Sequence, residues 1–546
     1  MMTTDKKDVN TTHKPEYHSH EEFQNRSHKL EEIKKGGIDP YPASFEKDQE
    51  IHDLIRSWEG QEPGNSEDAS EGKSAPAKTA GRLLLFRSMG KNAFAQIQDN
   101  NERIQVMFNR DLTQVSGLKE KPADMTAWKW LEKKLDLGDI IGVEGHLFRT
   151  NKGELTIFVK EITLLCKTLL PLADKHGGLH DKETRYRKRW LDLISNPETH
   201  QTFATRSKIL HETRAFLYEK GFAEVETPVL QSIYGGAEAK PFETKLHALN
   251  QEMFLRISLE IPLKKLIVGG MDKVFEIGRV FRNEGIDRNH NPEFTLLEAY
   301  SAYWDYKDMM VLVETLFETL AISLHGTSKI PATLGNGEEL TLDLKAPWPR
   351  LTMKEAVKKF ANIDIDTLST EEMKKELHES GHVADEKLPL MNRGLCIAAY
   401  FEVFAEPHLI QPHHIIDHPI ETTPLCKPHR EEKERAEGLV ERFESFVLGN
   451  EICNAYSELN DPAFQRELLE KQAERRESGD PEASPLDEEF IESICQGMPP
   501  TAGIGIGIDR MVMILTNSHT IRDILLFPWM KPETHIDPVE PHEGNS

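Results

Sequence analysis

The spacing of apolar and polar residues divides the chain into a helical N-terminal part, a run of short strands and a larger mixed region. Helical spacing from Glu21 to about Trp58 predicts helices, interrupted by a turn at residues 36–40. Residues 1–20 show no apolar period, which predicts a disordered tail. Residues 59–79 are rich in Gly, Ser, Pro and Glu, and this composition predicts a solvated loop. Residues 21–75 are therefore predicted to form a helical segment followed by a loop.

Five short segments with strand-like patterns come next, and a helical stretch, Ala127–Leu135, separates the third from the fourth. Five strands with a helix in this position are typical of the Greek-key barrel called the OB-fold, a frequent oligonucleotide binder. We predict an OB-fold domain over residues 76–170, and the alternative is a barrel with a purely structural role. The predicted strands are Gly81–Phe86, Ala93–Gln98, Arg103–Phe108, Ile140–Phe148 and Leu155–Leu165.

A basic segment, KETRYRKRW at residues 182–190, joins the barrel to the remainder of the chain. Such a run is usually a solvated face or a linker. Because it follows a possible RNA-binding barrel, we predict a phosphate-contacting hinge over residues 171–201. The larger domain then covers residues 202–532, beginning with a helix, Ser207–Lys220, that ends at Gly221. The charged stretch at about 324–380 is expected to be an insertion or peripheral helices, and residues 533–546 a mobile tail.

The segment from Lys273 to Tyr303 predicts an antiparallel hairpin with a polar loop at residues 283–292. Arg282 supplies a planar cation for a carboxylate or phosphate, and His290 in the loop is placed to follow a polyphosphate. The alternative is an exposed hairpin with surface ion pairs, each worth about 1 kcal/mol or less. The period of two puts four residues on one face of the returning strand: Phe294, Leu296, Glu298 and Tyr300.

A second motif, GIGIGIDRMVM, alternates three glycines with three isoleucines from residue 503 onward. This period predicts a strand with one apolar face and one bare face, on which a ligand can lie against the backbone. We expect Asp509 to cap the next helix, which leaves Arg510 beside the glycines. The spacing does not fit GxGxxG and no βαβ unit surrounds it, so a Rossmann site is excluded. The alternative is close sheet packing without a ligand.

A third segment, Val440–Asp461, predicts two strands around a turn at residues 449–450. Glu444 and Glu451 would lie on neighbouring strands, and paired carboxylates suit a hard cation such as Mg²⁺. The alternative for Glu444 is an ion pair with Arg442. The other strand face carries a polar row suited to substrate recognition: Asn454, Tyr456 and Glu458.

The composition adds constraints on partners and location. The formal net charge is −25, so any RNA binding must rely on local basic patches and base contacts. The five cysteines contain no CxxC pair, which excludes a zinc ribbon and favours a reducing cytosol. No apolar run approaches the ~20 residues of a membrane span, and no secretory signal is visible. We therefore expect a cytoplasmic protein without membrane contact.

Together these segments resemble the class II aminoacyl-tRNA synthetases, and among them the lysine–tRNA ligases. FAEVETPVL is similar to the first family motif, which lies at the dimer interface, FRNEGIDRNHNPEFT to the second and GIGIGIDRMVM to the third. NEICNAYSELND with PPTAGIGIGIDR points to lysine. The resemblance covers residues 26–532. It implies an α+β fold, a class II antiparallel sheet flanked by helices and preceded by an all-β OB-fold barrel.

The resemblance implies that ATP activates L-lysine to lysyl-adenylate and that lysine passes to the 3′ end of its tRNA, in a homodimer that uses Mg²⁺. Arg282 and Arg510 would be catalytic. The ATP-binding residues would be Arg282, Glu284, His290, Phe294, Glu451, Gly507 and Arg510. The lysine-binding residues would be Gly236, Glu260, Arg282, Glu298, Tyr300, Asn454, Tyr456, Glu458 and Gly503. Glu444 and Glu451 would hold the metal, and Phe94, Gln105 and Glu154 would contact the anticodon.

Within this implied set, Gly236 and Glu260 would receive the α-ammonium of lysine, and Glu458 with Tyr300 its side-chain ammonium. Glu284 would hydrogen-bond the adenine, on which Phe294 would stack. A buried carboxylate left unpaired costs several kcal/mol, so such a pocket rejects shorter or uncharged amino acids.

Three positions depart from the family pattern. Asn289 stands where bacterial relatives often carry Arg, Tyr456 stands where Phe is common, and Pro262 lies in LEIPLKK where the family usually has ELYLK. Proline is tolerated in the first turn of a helix. Two other functions remain open. A related ligase that lysylates a protein is disfavoured by the barrel, and an inactive RNA-binding relative is disfavoured by the retained phosphate and metal residues.

Overall fold

The computed structural model describes residues 15–100, 102–172, 179–381, 383, 388–478 and 482–532. The predicted tails at residues 1–14 and 533–546 lie outside this range. Residues 16–19 form a 3₁₀ turn inside the segment predicted to be disordered. The chain divides into two compact units, residues 1–200 and residues 201–546.

The first unit is built around a closed six-stranded sheet in the order β3-β2-β1-β5-β6-β4, in which β3 and β6 pair in parallel. The predicted OB-fold barrel is confirmed, with longer strands than predicted and the short additional strand β4. Its elements are α1 (Glu21–Lys35), α2 (Ile51–Ser57), α3 (Ser66–Glu71), β1 (Pro76–Met89), β2 (Asn92–Asp99), β3 (Glu102–Asn109), β4 (Gln114–Val115), α4 (Ala127–Glu132), β5 (Ile140–Arg149), β6 (Leu155–Cys166), α5 (Lys182–Arg187) and α6 (Arg189–Ser195).

The prediction of a loop over residues 59–79 is wrong at two places. Helix α3 lies within it because the side chain of Asn65 accepts hydrogen bonds from the N–H groups of Glu67 and Asp68 in a capping box. Strand β1 then begins at Pro76. A composition rich in Gly, Ser and Glu predicts a loop even where one capping side chain starts a helix.

The basic segment at residues 182–190 is helical, as α5 and α6, and part of its charge is neutralised within the unit. Asp192 is fully buried, and its carboxylate pairs with Arg185 at 2.7 Å and with Arg189 at 2.5 Å. Arg187 pairs with Glu183 at 2.7 Å. The ion pairs of these arginines therefore stabilise the folded segment, and they give no support to the prediction of a phosphate-contacting hinge.

The second unit is centred on an eight-stranded sheet in the order β15-β16-β17-β18-β19-β12-β11-β7. The sheet is antiparallel except at its edges, where β15 pairs with β16 and β11 with β7 in parallel. Its elements are α7 (Pro197–Glu219), β7 (Ala223–Glu224), β8 (Leu230–Gln231), β9 (Glu243–Leu246), β10 (Gln251–Leu255), α8 (Glu260–Val268), β11 (Lys273–Phe281), β12 (Glu293–Ala302), α9 (Tyr306–His325), β13 (Lys329–Thr333), β14 (Glu339–Asp343), β15 (Arg350–Thr352), α10 (Met353–Ala361), α11 (Thr370–Ser380), α12 (Arg393–Phe404), β16 (His413–Pro419), α13 (Glu432–Ala436), β17 (Leu439–Val447), β18 (Asn450–Ser457), α14 (Pro462–Glu477), α15 (Glu488–Cys495), β19 (Thr501–Gly507), α16 (Ile508–Leu515) and α17 (Ile521–Ile524).

The main core lies on one side of this sheet. Ile504 and Ile506 of β19 are buried there with residues of α9 and α16. The glycines that alternate with them face the opposite side, which leaves that side open for a ligand. The predicted antiparallel sheet flanked by helices is confirmed, and it positions the site described below.

Two details differ from the predictions. The helix predicted at Ser207–Lys220 is α7, which begins ten residues earlier at Pro197, a residue favoured at helix starts. The stretch at 324–380 is not only peripheral, because β15 lies at the edge of the main sheet. In the described part of the chain, no helix combines the length and the apolar character of a membrane span.

Candidate active site

A cavity of about 460 Å³ opens on the glycine-bearing side of the main sheet. Strands β12, β18 and β19 form its centre, and residues from α8, the β11–β12 loop and β17 surround them. Its lining includes most residues that the sequence suggested: Gly236, Glu260, Arg282, Glu284, His290, Phe294, Glu298, Tyr300, Glu444, Glu451, Asn454, Tyr456, Gly503, Gly507 and Arg510. The sheet brings these distant segments together; their ligand contacts remain predictions.

Gly503 has a more specific role than leaving a bare surface. It lies opposite Tyr300 on β12 and opposite Tyr456 on β18. A Cβ at this position would overlap both the ring of Tyr300 and the carboxylate of Glu458. The glycine therefore makes room for two neighbouring side chains that the sequence also suggested as lysine ligands.

Gly236 is constrained in a similar way. Its φ is +86°, and a Cβ there would lie 2.7 Å from Ser258 Oγ and 2.9 Å from Glu260 Cβ. Both the positive φ and the close approach exclude a side chain. The backbone of Gly236 is thereby held against Glu260 at one end of the cavity.

The prediction that Asp509 caps helix α16 is wrong, because Gly507 occupies the N-cap position. Asp509 lies in the first helical turn, where it is buried and pairs with Arg206 at 2.7 Å. Its Oδ2 also accepts a hydrogen bond from the N–H of Thr295 at 2.8 Å. Asp509 therefore ties the helix and the neighbouring Arg510 to strand β12.

Arg282 and Phe294 form one wall of the cavity. The guanidinium of Arg282 lies over the Phe294 ring, 5.2 Å from its centroid, and its Nε donates to the carbonyl of Ile257 at 3.3 Å. Within the described residues, no side chain pairs with its two terminal nitrogens. A planar cation held in this way can bind a phosphate or carboxylate.

Arg510 forms a second cationic point, linked to the β11–β12 loop. Its Nη1 donates to the carbonyl of Glu451 at 2.5 Å, and its Nη2 lies 3.2 Å from His290 Nε2. The other ring nitrogen of His290 lies 2.8 Å from Asp287 Oδ2. Asn289 donates to Asn450 Oδ1 at 2.8 Å, so this departure from the family pattern ties the loop to β18.

Glu444 and Glu451 lie on the paired strands β17 and β18, separated by a β-bulge at residues 445–446. Arg442 donates to Glu444 at 2.6 Å. This is the ion pair that the sequence offered as the alternative role of Glu444. Enclosure and the charge of Glu444 raise the pKa of Glu451. Within the described residues no cluster of three or more His, Cys, Asp or Glu suits a metal. Two hard carboxylates do fit Mg²⁺, which keeps waters and phosphate oxygens as its other ligands.

Glu298 lies at the centre of the cavity, with the oxygens of its buried carboxylate in a ring of donors. Oε1 accepts from Ser258 Oγ at 3.0 Å and from the N–H of Leu259 at 2.9 Å, and Oε2 accepts from Tyr300 at 2.9 Å. Burial and the charge of Glu260 raise the pKa of Glu298 to about 7. Burial also raises the pKa of Tyr300 well above its usual range, so its hydroxyl stays a donor.

A second acidic group forms where α8 meets strand β18. Tyr456 donates its hydroxyl to the carboxylate of Glu260 at 2.7 Å, a contact that phenylalanine could not make. Lys264, one helical turn after Glu260, lies 2.5 Å from Glu260 and also contacts Glu458. Burial alone lowers the pKa of Lys264, but the charges of Glu260 and Glu458 outweigh it and raise that pKa. Pro262 lies in the first turn of α8, as predicted.

Glu458 is the one residue of the predicted lysine pocket that does not line the cavity. It is 1% exposed and lies behind Gly503 and Tyr300, against Lys264. The sequence patterns did not indicate Lys264, although its four-residue spacing from Glu260 on a helix was a usable signal. They also did not indicate Ser258, or the bond from Arg442 Nε to Asn454 at 3.0 Å, which depends on strand register.

In the barrel, Phe94, Gln105 and Glu154 come from neighbouring strands or their ends. Phe94 pairs with Met107 and Gln105 pairs with Thr156, so strand alternation puts Phe94 and Gln105 on one outer face, and Glu154 directly precedes β6. Gln105 donates to Thr156 Oγ1 at 2.9 Å, and Glu154 is exposed. An aromatic ring with adjacent polar groups is suited to stacking and hydrogen-bonding an unpaired base.

Comparison with known proteins matches both units of the chain. A family described as tRNA synthetases class II (D, K and N) matches residues 181–531. A second family, described as OB-fold nucleic acid binding domain, matches residues 77–165. Most of the described chain is therefore covered by these two families.

Curated relatives cover nearly the whole chain. A lysine–tRNA ligase of Chlamydia caviae is 55% identical over 94% of this chain and 98% of its own length. A lysine–tRNA ligase of Moorella thermoacetica is 45% identical over 93% of this chain and 97% of its own length. A third lysine–tRNA ligase, from Methanoculleus marisnigri, is 44% identical over 94% of this chain and 97% of its own length. The chain therefore belongs to the class II tRNA synthetases and, within them, to the lysine–tRNA ligase family.

Proposed function

We propose that this chain activates L-lysine with ATP to form lysyl-adenylate and then transfers lysine to the 3′ end of its tRNA. The observation that carries this proposal is a single cavity lined by two arginines and by the buried carboxylates of Glu260 and Glu298, with the carboxylate of Glu458 buried directly behind its wall. The arginines suit phosphate and carboxylate groups, and the carboxylates suit ammonium groups. Lysine is an amino acid that needs both.

In the first step, an oxygen of the lysine carboxylate attacks the α-phosphorus of ATP, and the bond to the departing pyrophosphate breaks. Arg282 binds the substrate carboxylate and the α-phosphate, and Arg510 with His290 binds the terminal phosphate. Phe294 stacks on the adenine and Glu284 hydrogen-bonds it. Preorganised cations lower the barrier by positioning the reactants and neutralising charge, so no protein base is needed.

Glu444 and Glu451 are proposed to hold Mg²⁺ beside these phosphates. When bound, the ion supplies charge neutralisation to the triphosphate. Burial and the neighbouring charge of Glu444 raise the pKa of Glu451, and a cation bound between the two carboxylates would offset both effects, which supports this assignment.

The lysine ligand is proposed to lie between Gly236 and Glu458 along β19. Gly236 and Glu260 receive its α-ammonium, and Glu298, Tyr300 and Glu458 serve its side-chain end. Asn454, Tyr456 and Gly503 complete this set of lysine-binding residues. Because these carboxylates are buried, an amino acid without a second ammonium leaves charge unpaired and binds weakly.

The second step is proposed to take place on tRNA bound by the barrel. The terminal ribose hydroxyl attacks the acyl carbon of lysyl-adenylate, and AMP leaves. Phe94, Gln105 and Glu154 contact the anticodon, which gives specificity that the acidic chain cannot obtain from long-range attraction. We place this reaction in the cytoplasm, where ATP and tRNA are available.

A homodimer is proposed through the small sheet β8-β10-β9 and the motif before it. Four apolar side chains are exposed there: Val229, Leu230, Ile233 and Leu249, the last with 69% of its surface accessible. Exposed apolar side chains suit a protein–protein contact at this small sheet. The first family motif, FAEVETPVL, ends within it.

Replacing Arg282 with Ala should lower lysine-dependent ATP–pyrophosphate exchange by about 100- to 1,000-fold, because one preorganised cation is lost. Arg279→Ala is the matched control on β11, three residues before Arg282, since Arg279 is half exposed and pairs with Glu293 at the surface. It should stay within about twofold of wild type. Near-normal ATP–pyrophosphate exchange in Arg282→Ala would contradict the proposed first step.

The KM for lysine should fall as pH rises, because bound ammonium favours ionised Glu298. With a pKa of about 7 in the free protein, lysine binding below that pH must release a proton. The KM should therefore fall about tenfold between about pH 6 and pH 8 and then level off. Exchange kinetics across this range measure it, and Glu298→Gln should give a flat profile. A rising or flat wild-type profile would contradict the role of Glu298.

Replacing Phe94 with Ala should lower kcat/KM for tRNA by about 5- to 150-fold, the value of one stacked base. Lysine-dependent pyrophosphate exchange should not change, since that step needs no tRNA contact. Met89→Ala, an exposed residue of the same barrel, is the control for aminoacylation assays. Equal loss of both activities in Phe94→Ala would argue for a purely structural barrel.

Light scattering of the purified chain should give twice the mass of one chain. Leu230→Asp should shift this mass to that of the monomer, because a buried unpaired charge at an interface is costly. Val311→Asp, at an exposed position of helix α9, should leave the dimer intact. A wild-type monomer at micromolar concentration rules out the proposed interface.

A further inference from the structure

Lys264 is a fully buried lysine at the acidic end of the cavity. Its ammonium contacts Glu260 at 2.5 Å and also Glu458, which is itself 1% exposed. The rings of Tyr456 and Phe490 lie 5.5 Å and 5.8 Å from its Nζ. Lysine is almost never fully buried unless paired, so these two carboxylates are the reason that it can remain charged here.

This single ammonium joins two different parts of the fold. Glu260 begins helix α8, whereas Glu458 follows strand β18 and is bonded through its N–H to Thr501. Because both carboxylates contact one nitrogen, their separation is limited to the span of a single ammonium group. In the proposed function these carboxylates lie at the two ends of the substrate, and Lys264 therefore relates one end to the other.

The charges of the pocket also connect Lys264 with both ends of the proposed substrate. Three carboxylates are buried around the lysine position, those of Glu260, Glu298 and Glu458, and Lys264 supplies one cation among them. An amino acid with two ammonium groups supplies two more cations, while its own carboxylate is matched by Arg282. Three negative and three positive groups then balance, which an amino acid with one ammonium cannot achieve.

We propose that Lys264 is a positioning residue that sets the charge and spacing of the pocket and so makes it select a diamino acid of the length of lysine. The inference rests on the proposed lysine-activating function and deepens it. Lys264 does not line the cavity; it acts by holding Glu260 and Glu458. A helix-stabilising ion pair is the competing explanation, and it predicts no change in which amino acid is chosen.

Pyrophosphate exchange with lysine, ornithine and norleucine tests the proposal on the full-length protein. Lys264→Met keeps the apolar stem and removes the charge. Its kcat/KM for lysine should fall about 30-fold, mainly through KM, while the KM for ATP stays within about threefold. Its preference for lysine over ornithine should fall about tenfold, because Glu260 and Glu458 are no longer held at a fixed spacing, whereas its preference for lysine over norleucine should not fall, because the pocket becomes more acidic. Lys265→Met is the matched control, because Lys265 bonds the exposed Glu489, and it should match wild type throughout.

A double variant separates charge balance from loss of structure. Glu260→Gln with Lys264→Met removes one carboxylate together with the ammonium, so the net charge returns to that of wild type. Thermal unfolding should show that this double variant recovers stability relative to Lys264→Met, while its activity on lysine stays low because Glu260 is a proposed lysine ligand. A double variant that is no more stable than Lys264→Met, with unchanged preference for lysine over ornithine in Lys264→Met, would overturn the role of Lys264. A wild-type chain without lysine-dependent exchange would instead overturn the proposed function.

Discussion

The burial of carboxylates beside a glycine strand is the constraint on which the rest of the site depends. A buried carboxylate must be neutralised by a cation, a proton or several donors. Glu298 accepts three hydrogen bonds and titrates near neutral pH, whereas Glu260 and Glu458 share the ammonium of Lys264. The cavity is thus already organised for positive charge, and in the proposed function a diamino acid completes the compensation that the protein begins.

The sheet supplies the geometry for this chemistry. Gly503 removes the one side chain that would overlap Tyr300 and Glu458, while the isoleucines on the other face of β19 anchor the strand in the core. Rigid strands hold catalytic groups more closely than loops do. The side of the cavity proposed to bind phosphate is different, because His290 and Asn289 lie on the β11–β12 loop and reach the sheet through Arg510 and Asn450.

The two units divide recognition between them. The barrel presents an aromatic and polar outer face that suits bases, and the sheet presents cations and carboxylates that suit ATP and an amino acid. An acidic chain gains no general attraction for RNA, so specificity at the barrel must come from stacking and hydrogen bonds. The arginines of the connecting segment are largely used in folding it, as the pairs at Asp192 show.

The sequence by itself determined the OB-fold barrel and the class II sheet, and most of the site residues that it suggested line the cavity, because strand alternation and dense motifs are local signals. It did not determine the helix at Ser66–Glu71, where a single cap overrides a loop-like composition. The buried position of Glu458 and its contact with Lys264 were decided only by tertiary structure, as was the use of Asp509 to bind Arg206. Contacts between residues far apart in the chain form only when the sheet and helices pack. The low-dielectric surroundings that shift the pKa values of these residues form at the same time, so no local sequence pattern predicts them.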